Sequence, residues 1–121
     1  MAKRFTDNTK WKRWFRDLND KYKILWLWLH DYCDHAGVWE VDFENAEHFT
    51  GHKYDYKKVL DVFGDKIIET YDDKIWFITD FPELQYGVYL NPKNRTHNSV
   101  IEILKKYDLI KYTDLMIKDK Q

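Results

Sequence analysis

A chain of 121 residues with 44% hydrophobic and 18% aromatic side chains can bury a core as one domain, so we expect disorder only at the two ends. One cysteine excludes an intramolecular disulfide framework. The net charge of −1 averages a basic start (+5 over residues 1–23), an acidic middle (−9 over 24–92) and a basic end (+3 over 93–121).

Two helices are predicted in the first third of the chain. Apolar side chains at i, i+3, i+4 and i+7 form one stripe of a short helix: Trp11, Trp14, Phe15 and Leu18. Asn19 or Asp20 can cap a longer helix that runs to about Cys33. This helix is apolar around much of its circumference, so we expect it to be central and packed on more than one side. Its apolar residues are Tyr22, Ile24, Leu25, Trp26, Leu27, Trp28, Leu29, Tyr32 and Cys33.

The next segment predicts a short strand and two more helices. Gly37 stops the central helix, with Asp34 and His35 at its frayed end, and Val38–Val41 is rich in strand-forming residues. Asp42 caps a helix that buries Phe43, Ala46 and Phe49, and Gly51 follows it. A second helix begins near Asp55, ends at Gly64, and buries Tyr56, Val59, Leu60 and Phe63.

After Gly64 the pattern changes to that of strands. Segments 66–70 and 75–79 flank a hairpin loop at 71–74, and Val38–Val41 is expected to pair with them as a third strand. A helical turn is expected around residues 81–84, and a chain turn at 91–95. Asn98 or Ser99 is expected to cap a closing helix that buries Val100, Ile103, Leu104 and Tyr107. The last dozen residues give no firm signal.

This order predicts an α+β fold. A central helix, two helices joined by the tight turn at 50–54, and a hairpin are typical of a winged helix-turn-helix with a small three-stranded antiparallel sheet. Extra helices lie at each end. We expect one domain over residues 1–110 and a C-terminal tail over 111–121 that leads to a domain absent here.

Several blocks of the sequence resemble the N-terminal domains of phage replisome organisers, which are replication initiation proteins related to DnaD-like primosome components. The blocks are KRFTDNTKW…WFRDL, YKILWLWLHDYCDHAGVWEVDFENA, KIWFITDF…QYG and LNPKNRTHNSVI, and they extend from about Lys3 to Tyr107. The resemblance implies a winged helix that binds duplex DNA at an origin, self-associates, and helps to recruit a helicase loader. Family members usually continue into a second helical domain, so the helicase-loader function is in doubt for this chain.

The candidate DNA-binding residues fall into three groups. Lysines of the second helix of the pair and of the preceding turn can approach phosphates or base edges, and the hairpin loop can contact the backbone next to the groove. Basic residues at the two ends can bind phosphates without sequence preference. The full set is Lys3, Arg4, Lys10, Lys12, Arg13, Arg16, Lys53, Lys57, Lys58, Lys74, Lys93, Asn94, Arg95, His97 and Asn98. In every group the alternative is a solvated surface, which the nearby Asp55, Asp61, Asp72 and Asp73 favour.

Other candidate sites are weaker. His30, Cys33, His48 and His52 have spacings that zinc sites use, but Cys33 belongs to an apolar stripe and buried cysteine is the more common interpretation. The aromatic residues fall mostly on core positions, although some could form a self-association surface. We find no nuclease-like carboxylate set, phosphate loop or nucleophile elbow, so we expect no enzyme, cofactor or metal.

The remaining signals predict a soluble, cytoplasmic protein. The first ten residues lack the apolar segment of a secretory signal, and the run Ile24–Leu29 is too short to span a membrane. Two alternative functions remain: a protein-interaction module that has a winged-helix shape and does not bind DNA, and a small phage transcriptional regulator.

Overall fold

The fold is α+β, with helices on both faces of a three-stranded antiparallel sheet. The computed structural model describes residues 12–70 and 74–117, and the side chains from residue 14 onward within them. The helices are α1 (Lys12–Arg16), α2 (Asp20–Tyr32), α3 (Phe43–Thr50), α4 (Tyr56–Phe63), α5 (Phe81–Tyr86) and α6 (Arg95–Lys106). The strands are β1 (Val38–Glu40), β2 (Ile67–Thr70), β3 (Ile75–Ile78), β4 (Tyr89–Leu90) and β5 (Met116–Ile117).

The central strand of the sheet is β3, which pairs with β1 on one side and β2 on the other. The predicted hairpin and the predicted third strand are therefore confirmed. In the register, Val38 and Ile68 both lie opposite Phe77, while Trp39 lies opposite Trp76. Because successive side chains point to opposite faces, Trp76 and Phe77 enter two different cores, and both are fully buried.

The first core lies between the sheet and α2, α3 and α4. Helix α2 and its C-cap contribute Tyr22, Leu25, Trp26, Leu29 and Cys33, which are buried as predicted. The burial predicted for Tyr32, and for Phe49 of α3, was wrong, because both side chains are exposed.

Within the described part of the chain, α2 is central as predicted, because it contacts Trp14 of α1, Phe49 of α3 and Phe81 of α5. Its outer side is not covered, since Ile24 and Leu27 are exposed.

The second core lies on the other face of the sheet, beneath α6. Val100, Ile101 and Leu104 pack with Phe77 and Val38 there. Helix α6 begins at Arg95, so the predicted cap at Asn98 or Ser99 was wrong. The carboxamide oxygen of Asn94 instead accepts the backbone N–H of His97 at 3.1 Å. The N–H of Asn94 donates to the carbonyl of Asn91 at 2.9 Å, so the preceding turn ends at Asn94. Asn94 is therefore the first residue that can cap the helix, four positions before Asn98.

The C-terminal residues form short structure that the sequence did not predict. A 3₁₀ turn covers Ile110–Tyr112, and β5 then pairs in parallel with β4. Leu109 is buried, and Leu115 and Ile117 pack against the second core. Residues up to 117 therefore contribute to the same core as α6.

The loop from α2 to β1 is an ordered turn, so the expectation of a frayed end was wrong. The carboxylate of Asp34 accepts the N–H groups of Ala36 at 2.8 Å and Val38 at 2.9 Å. Its own N–H donates to the carbonyl of Val38 at 2.9 Å. Gly37 has φ +92°, and a Cβ there would lie 2.8 Å from the Cβ of Phe81. The turn thus requires a residue without a side chain for two reasons, backbone conformation and contact with α5.

Gly37→Ala is expected to destabilise the fold more than Gly51→Ala. Both glycines have positive φ, which costs an alanine roughly 1–2 kcal/mol, but an added Cβ at Gly51 meets nothing within 4 Å. The contact with Phe81 should add about 1–3 kcal/mol at Gly37. Urea unfolding of the two variants measures the difference. Equal losses of unfolding free energy would show that the approach of α5 to this turn does not constrain the fold.

Candidate nucleic-acid interface

The turn between α3 and α4 is fixed by two hydrogen bonds to Glu47 of α3. Gly51 ends α3 with φ +79°, and its N–H donates to the carbonyl of Glu47 at 2.9 Å. The carboxylate of Glu47 then accepts the N–H of Tyr54 at 2.9 Å. Glu47 therefore has a structural role in closing the turn.

Tyr54 anchors this turn to the start of α2. Its ring is buried near that of Tyr22, with 6.0 Å between centroids, and its hydroxyl donates to the carbonyl of Lys21 at 2.7 Å. The ammonium of Lys21 donates in return to the carbonyl of Lys53 at 2.9 Å. Burial raises the pKa of Tyr54 above its ordinary value of 10.0, and a side-chain hydrogen bond with Thr50 offsets only part of this increase. The two reciprocal bonds hold α2 and the turn together.

Helix α4 presents its lysines to solvent from this fixed turn. Asp55 caps the helix by accepting the N–H of Lys58 at 3.1 Å. Tyr56 packs against Trp76 of β3, with 5.6 Å between ring centroids, which sets the position of the first turn. Lys57 and Lys58 are exposed, and Asp61 is the exposed carboxylate one turn further along. Within the described ranges, no salt bridge holds either ammonium group.

Lys57 and Lys58 are cations in the first turn of α4, where positive charge is unfavourable. A helix N-terminus carries a partial positive charge, so cations there are unfavourable by roughly 0.3–1 kcal/mol each when exposed. Asp55 offsets part of this repulsion through the cap. A bound phosphate would offset more, since it would interact with the lysines and the helix start at the same time.

Only part of the predicted hairpin loop is described. Thr70 pairs with Ile75, so residues 71–74 connect the strands, and residues 71–73, with Asp72 and Asp73, lie outside the described residues. Lys74 is exposed, and its carbonyl accepts the N–H of Val41 at 2.9 Å. The backbone of this candidate is therefore attached to the end of β1.

The N-terminal basic group is described only at α1. Lys3, Arg4 and Lys10 lie outside the described residues, as do the side chains of Lys12 and Arg13. Arg16 is exposed, with its guanidinium 3.7 Å from the carboxylate of Asp17. Trp14 packs against Trp26 of α2 and Phe63 of α4, with ring centroids 5.0 and 6.0 Å apart. Helix α1 therefore lies in the same layer as α4, at its C-terminal end.

The basic group at the start of α6 lies on the opposite face of the sheet. Lys93 and Arg95 are exposed there. The Nδ1 atom of His97 accepts the N–H of Asn91 at 3.0 Å, and the carboxamide oxygen of Asn94 caps the helix. These acceptors are therefore used within the protein, which leaves Lys93 and Arg95 as the cationic side chains of this group.

The structure thus separates the predicted residues into two surfaces. The turn residue Lys53, the two α4 lysines and α1 belong to one layer, and the start of α6 belongs to the other. Lys66 is a further cation of the first layer that sequence reasoning missed. Its ammonium lies 5.2 Å from the centroid of the Trp14 ring, a contact between distant segments that no local pattern indicates.

The histidines and the cysteine of the sequence do not converge. The ring Nδ1 of buried His30 donates to the carbonyl of Trp26 at 3.0 Å, and Cys33 is buried beside it. His48 is exposed next to Phe49, and His52 lies near Tyr54. Across residues 12–70 and 74–117, no group of three or more His, Cys, Asp or Glu side chains is arranged to hold a metal ion.

Two further findings bear on the type of protein. None of the helices in the described segments has both the length and the apolar character needed to cross a bilayer. Comparison with known proteins gave no match to a protein-family model, a curated protein or a solved structure. Functional inference therefore depends on the residues and geometry of this chain.

Tyr54→Phe is expected to destabilise the domain at neutral pH by about 0.5–1.5 kcal/mol, because the hydroxyl bond to the Lys21 carbonyl is lost. The pKa of Tyr54 is raised by folding, so the folded state keeps its proton where the unfolded chain loses it. That stabilisation is complete below pH 10.0 and declines above it, a decline that the Phe variant lacks.

Urea unfolding at about pH 8 and about pH 11 checks this expectation. The free-energy difference between Tyr54→Phe and the unmodified chain should narrow at the higher pH. Tyr89→Phe, at an exposed ring, is the control and should match the unmodified chain at about pH 8. A difference that is constant with pH would contradict the role of Tyr54 burial.

Proposed function

We propose that this chain is a winged-helix domain that binds duplex DNA through the exposed face of α4. The supporting topology is the order α2, β1, α3, α4, β2, β3 with the sheet order β1-β3-β2. In winged helices of this order, the second helix of the pair enters the major groove and the hairpin contacts the adjacent backbone. Helix α4 and the β2–β3 hairpin are the elements of this chain that correspond to them in chain order.

The observation that carries the proposal is the pair of exposed lysines on a rigidly held helix start. Lys57 and Lys58 extend from the first turn of α4, which is fixed by the Asp55 cap and by Tyr56 against Trp76. A rigid element that presents cations at a helix N-terminus is suited to phosphate contacts, which set the orientation of a protein on DNA.

The proposed biological role is replication initiation of the phage replisome-organiser type. The sequence blocks described above support this role, because they extend over most of the chain in one order. The protein would bind duplex DNA at an origin, self-associate, and help to recruit replication proteins such as a helicase loader. It would act without catalysis or a cofactor. Footprinting tests the assignment: protection of promoter sequences instead of origin repeats would favour a transcriptional regulator.

A second candidate function is a protein-interaction module without DNA binding. One observation favours it: residues 24–52 contain six Asp or Glu and no Lys or Arg, and they include most of α2, β1 and α3. A surface of this sign repels DNA. Titration of random duplex DNA at low salt separates the two candidates, since an interaction module would show negligible affinity.

Lys57→Ala/Lys58→Ala is expected to weaken binding to random duplex DNA and to lower the slope of log affinity against log salt by about 2, because two fewer phosphates are neutralised. Fluorescence anisotropy over a salt series measures both quantities. Lys105→Ala/Lys106→Ala is the matched control, because it removes two adjacent exposed lysines at the far end of α6. Equal effects of the two double variants would contradict the assignment of α4.

Charge reversal of Lys12, Arg13 and Arg16 to glutamate is expected to reduce duplex affinity for all sequences alike, because phosphate contacts carry no base information. Anisotropy with an origin fragment and a shuffled fragment of equal length checks this. A loss confined to one fragment would contradict a sequence-independent role. No loss in either this variant or the α4 variant would remove the proposed DNA-binding surface.

A further inference from the structure

The exposed face of α4 carries one carboxylate next to its two lysines. Asp61 lies four residues after Lys57 and three after Lys58, so the three side chains share one face of the helix. All three are exposed. The other face is buried through Val59 and Phe63, which hold the helix against the first core. The carboxylate of Asp61 therefore has the same access to a bound molecule as the two ammonium groups.

Asp61 occupies a position where a carboxylate does not stabilise α4. It lies in the last turn of the helix, where the dipole disfavours negative charge. A lysine four residues before a carboxylate is also the less favourable order for an ion pair on one helix. The salt bridges within residues 12–70 and 74–117 do not include Asp61. Its role is therefore different from that of the carboxylates of Asp34, Glu47 and Asp55, which accept backbone N–H groups.

A carboxylate on a face that binds DNA is repelled by the phosphates, so it lowers the affinity unless it accepts a hydrogen bond from the DNA. In the major groove two groups can donate one, the amino groups N4 of cytosine and N6 of adenine. On adenine the acceptor N7 lies next to N6 and repels a carboxylate. Cytosine has no acceptor at its major-groove edge, so its N4 is the donor that suits an aspartate.

The geometry of the helix places Asp61 between the two lysines. Successive residues turn by about 100° around an α-helix, so Lys57 and Lys58 lie about 40° and about 60° from Asp61, on opposite sides of it. In a major groove about 12 Å wide, the centre of a helix face points to the bases and its sides point to the two phosphate strands. The short carboxylate then faces the base edges, and the long lysine side chains extend toward the phosphates.

We infer that Asp61 gives the proposed DNA-binding face its base specificity, by accepting a hydrogen bond from the N4 amino group of a cytosine in the major groove. This inference rests on the proposed function, because Asp61 can meet a base only if the exposed face of α4 binds duplex DNA. It adds a base contact to the phosphate contacts of Lys57 and Lys58. Phosphate contacts set the position of the helix on the duplex, and the cytosine contact selects the sequence.

The test uses the full chain and a pool of duplexes with a randomised segment of about 10 base pairs, one helical turn of DNA. The duplexes retained at low salt are sequenced, and the unmodified chain is expected to enrich cytosine at one position. Asp61→Asn should enrich adenine there instead, because a carboxamide pairs with N6 and N7 of adenine. Asp61→Ala, which has no hydrogen-bonding group at this position, should show no preference there.

Fluorescence anisotropy measures the size of the effect. With the selected duplex and a copy in which T·A replaces the C·G pair, the unmodified chain should discriminate about tenfold. Asp61→Ala should bind the two duplexes equally. Asp114→Asn is the matched control, because it removes the same charge at an exposed residue outside α4. It should select the same duplexes as the unmodified chain.

The outcomes separate this inference from the proposed function. If the unmodified chain retains no duplex even at low salt, the proposed function and the role of Asp61 are both overturned. Salt-dependent binding without a base preference would overturn the role of Asp61 alone. The same holds if Asp61→Asn selects the same duplexes as the unmodified chain with a higher affinity, because Asp61 would then only repel phosphates.

Discussion

The burial of β3 on both faces is the constraint on which the other elements depend. Trp76 and Phe77 are adjacent, fully buried, and directed into opposite cores. Burying a large aromatic side chain removes about 150–250 Å² from water, which at about 25 cal/mol per Å² is worth several kcal/mol. Trp76 also contacts Tyr56 and so fixes the start of α4. The orientation of the candidate interface therefore follows from the packing of the sheet.

The charged residues of the structure have two different roles, to fix turns and to form the exposed surface. Carboxylates of Asp34, Glu47 and Asp55 accept backbone N–H groups and so fix the turns that position the helices. Lysines 57 and 58 remain at the surface on the same framework. The net charge of −1 therefore averages over acidic and basic stretches of the chain that differ strongly in sign.

The sequence predicts the parts of this fold that have a clear period. The helical stripes of α2 and α4 were recognisable because their buried residues repeat at about 3.6 positions. The three strands were recognisable as short runs rich in β-branched and aromatic residues between turn residues. The start of α6 was not predicted correctly, because Asn94, Asn98 and Ser99 can all cap a helix. The turn from Asn91 to Asn94 determines that Asn94 is the cap. Strands β4 and β5 have two residues each, too few to show a period. The exposure of Ile24 and Leu27, and the use of His97 as an acceptor, depend on layers that local patterns do not describe.

The pairing of β1 with β3 also determines when the domain can fold during synthesis. Val38 can pair only after Phe77 has been synthesised. The face of the sheet that carries these two residues remains uncovered until α6 has also been synthesised. Contacts that close such long loops form slowly, so the pairing of β1 with β3 is expected to form after the local helical contacts. A nascent chain would expose alternating apolar strands throughout this interval. The second core can therefore close only after the chain has been synthesised as far as Leu104.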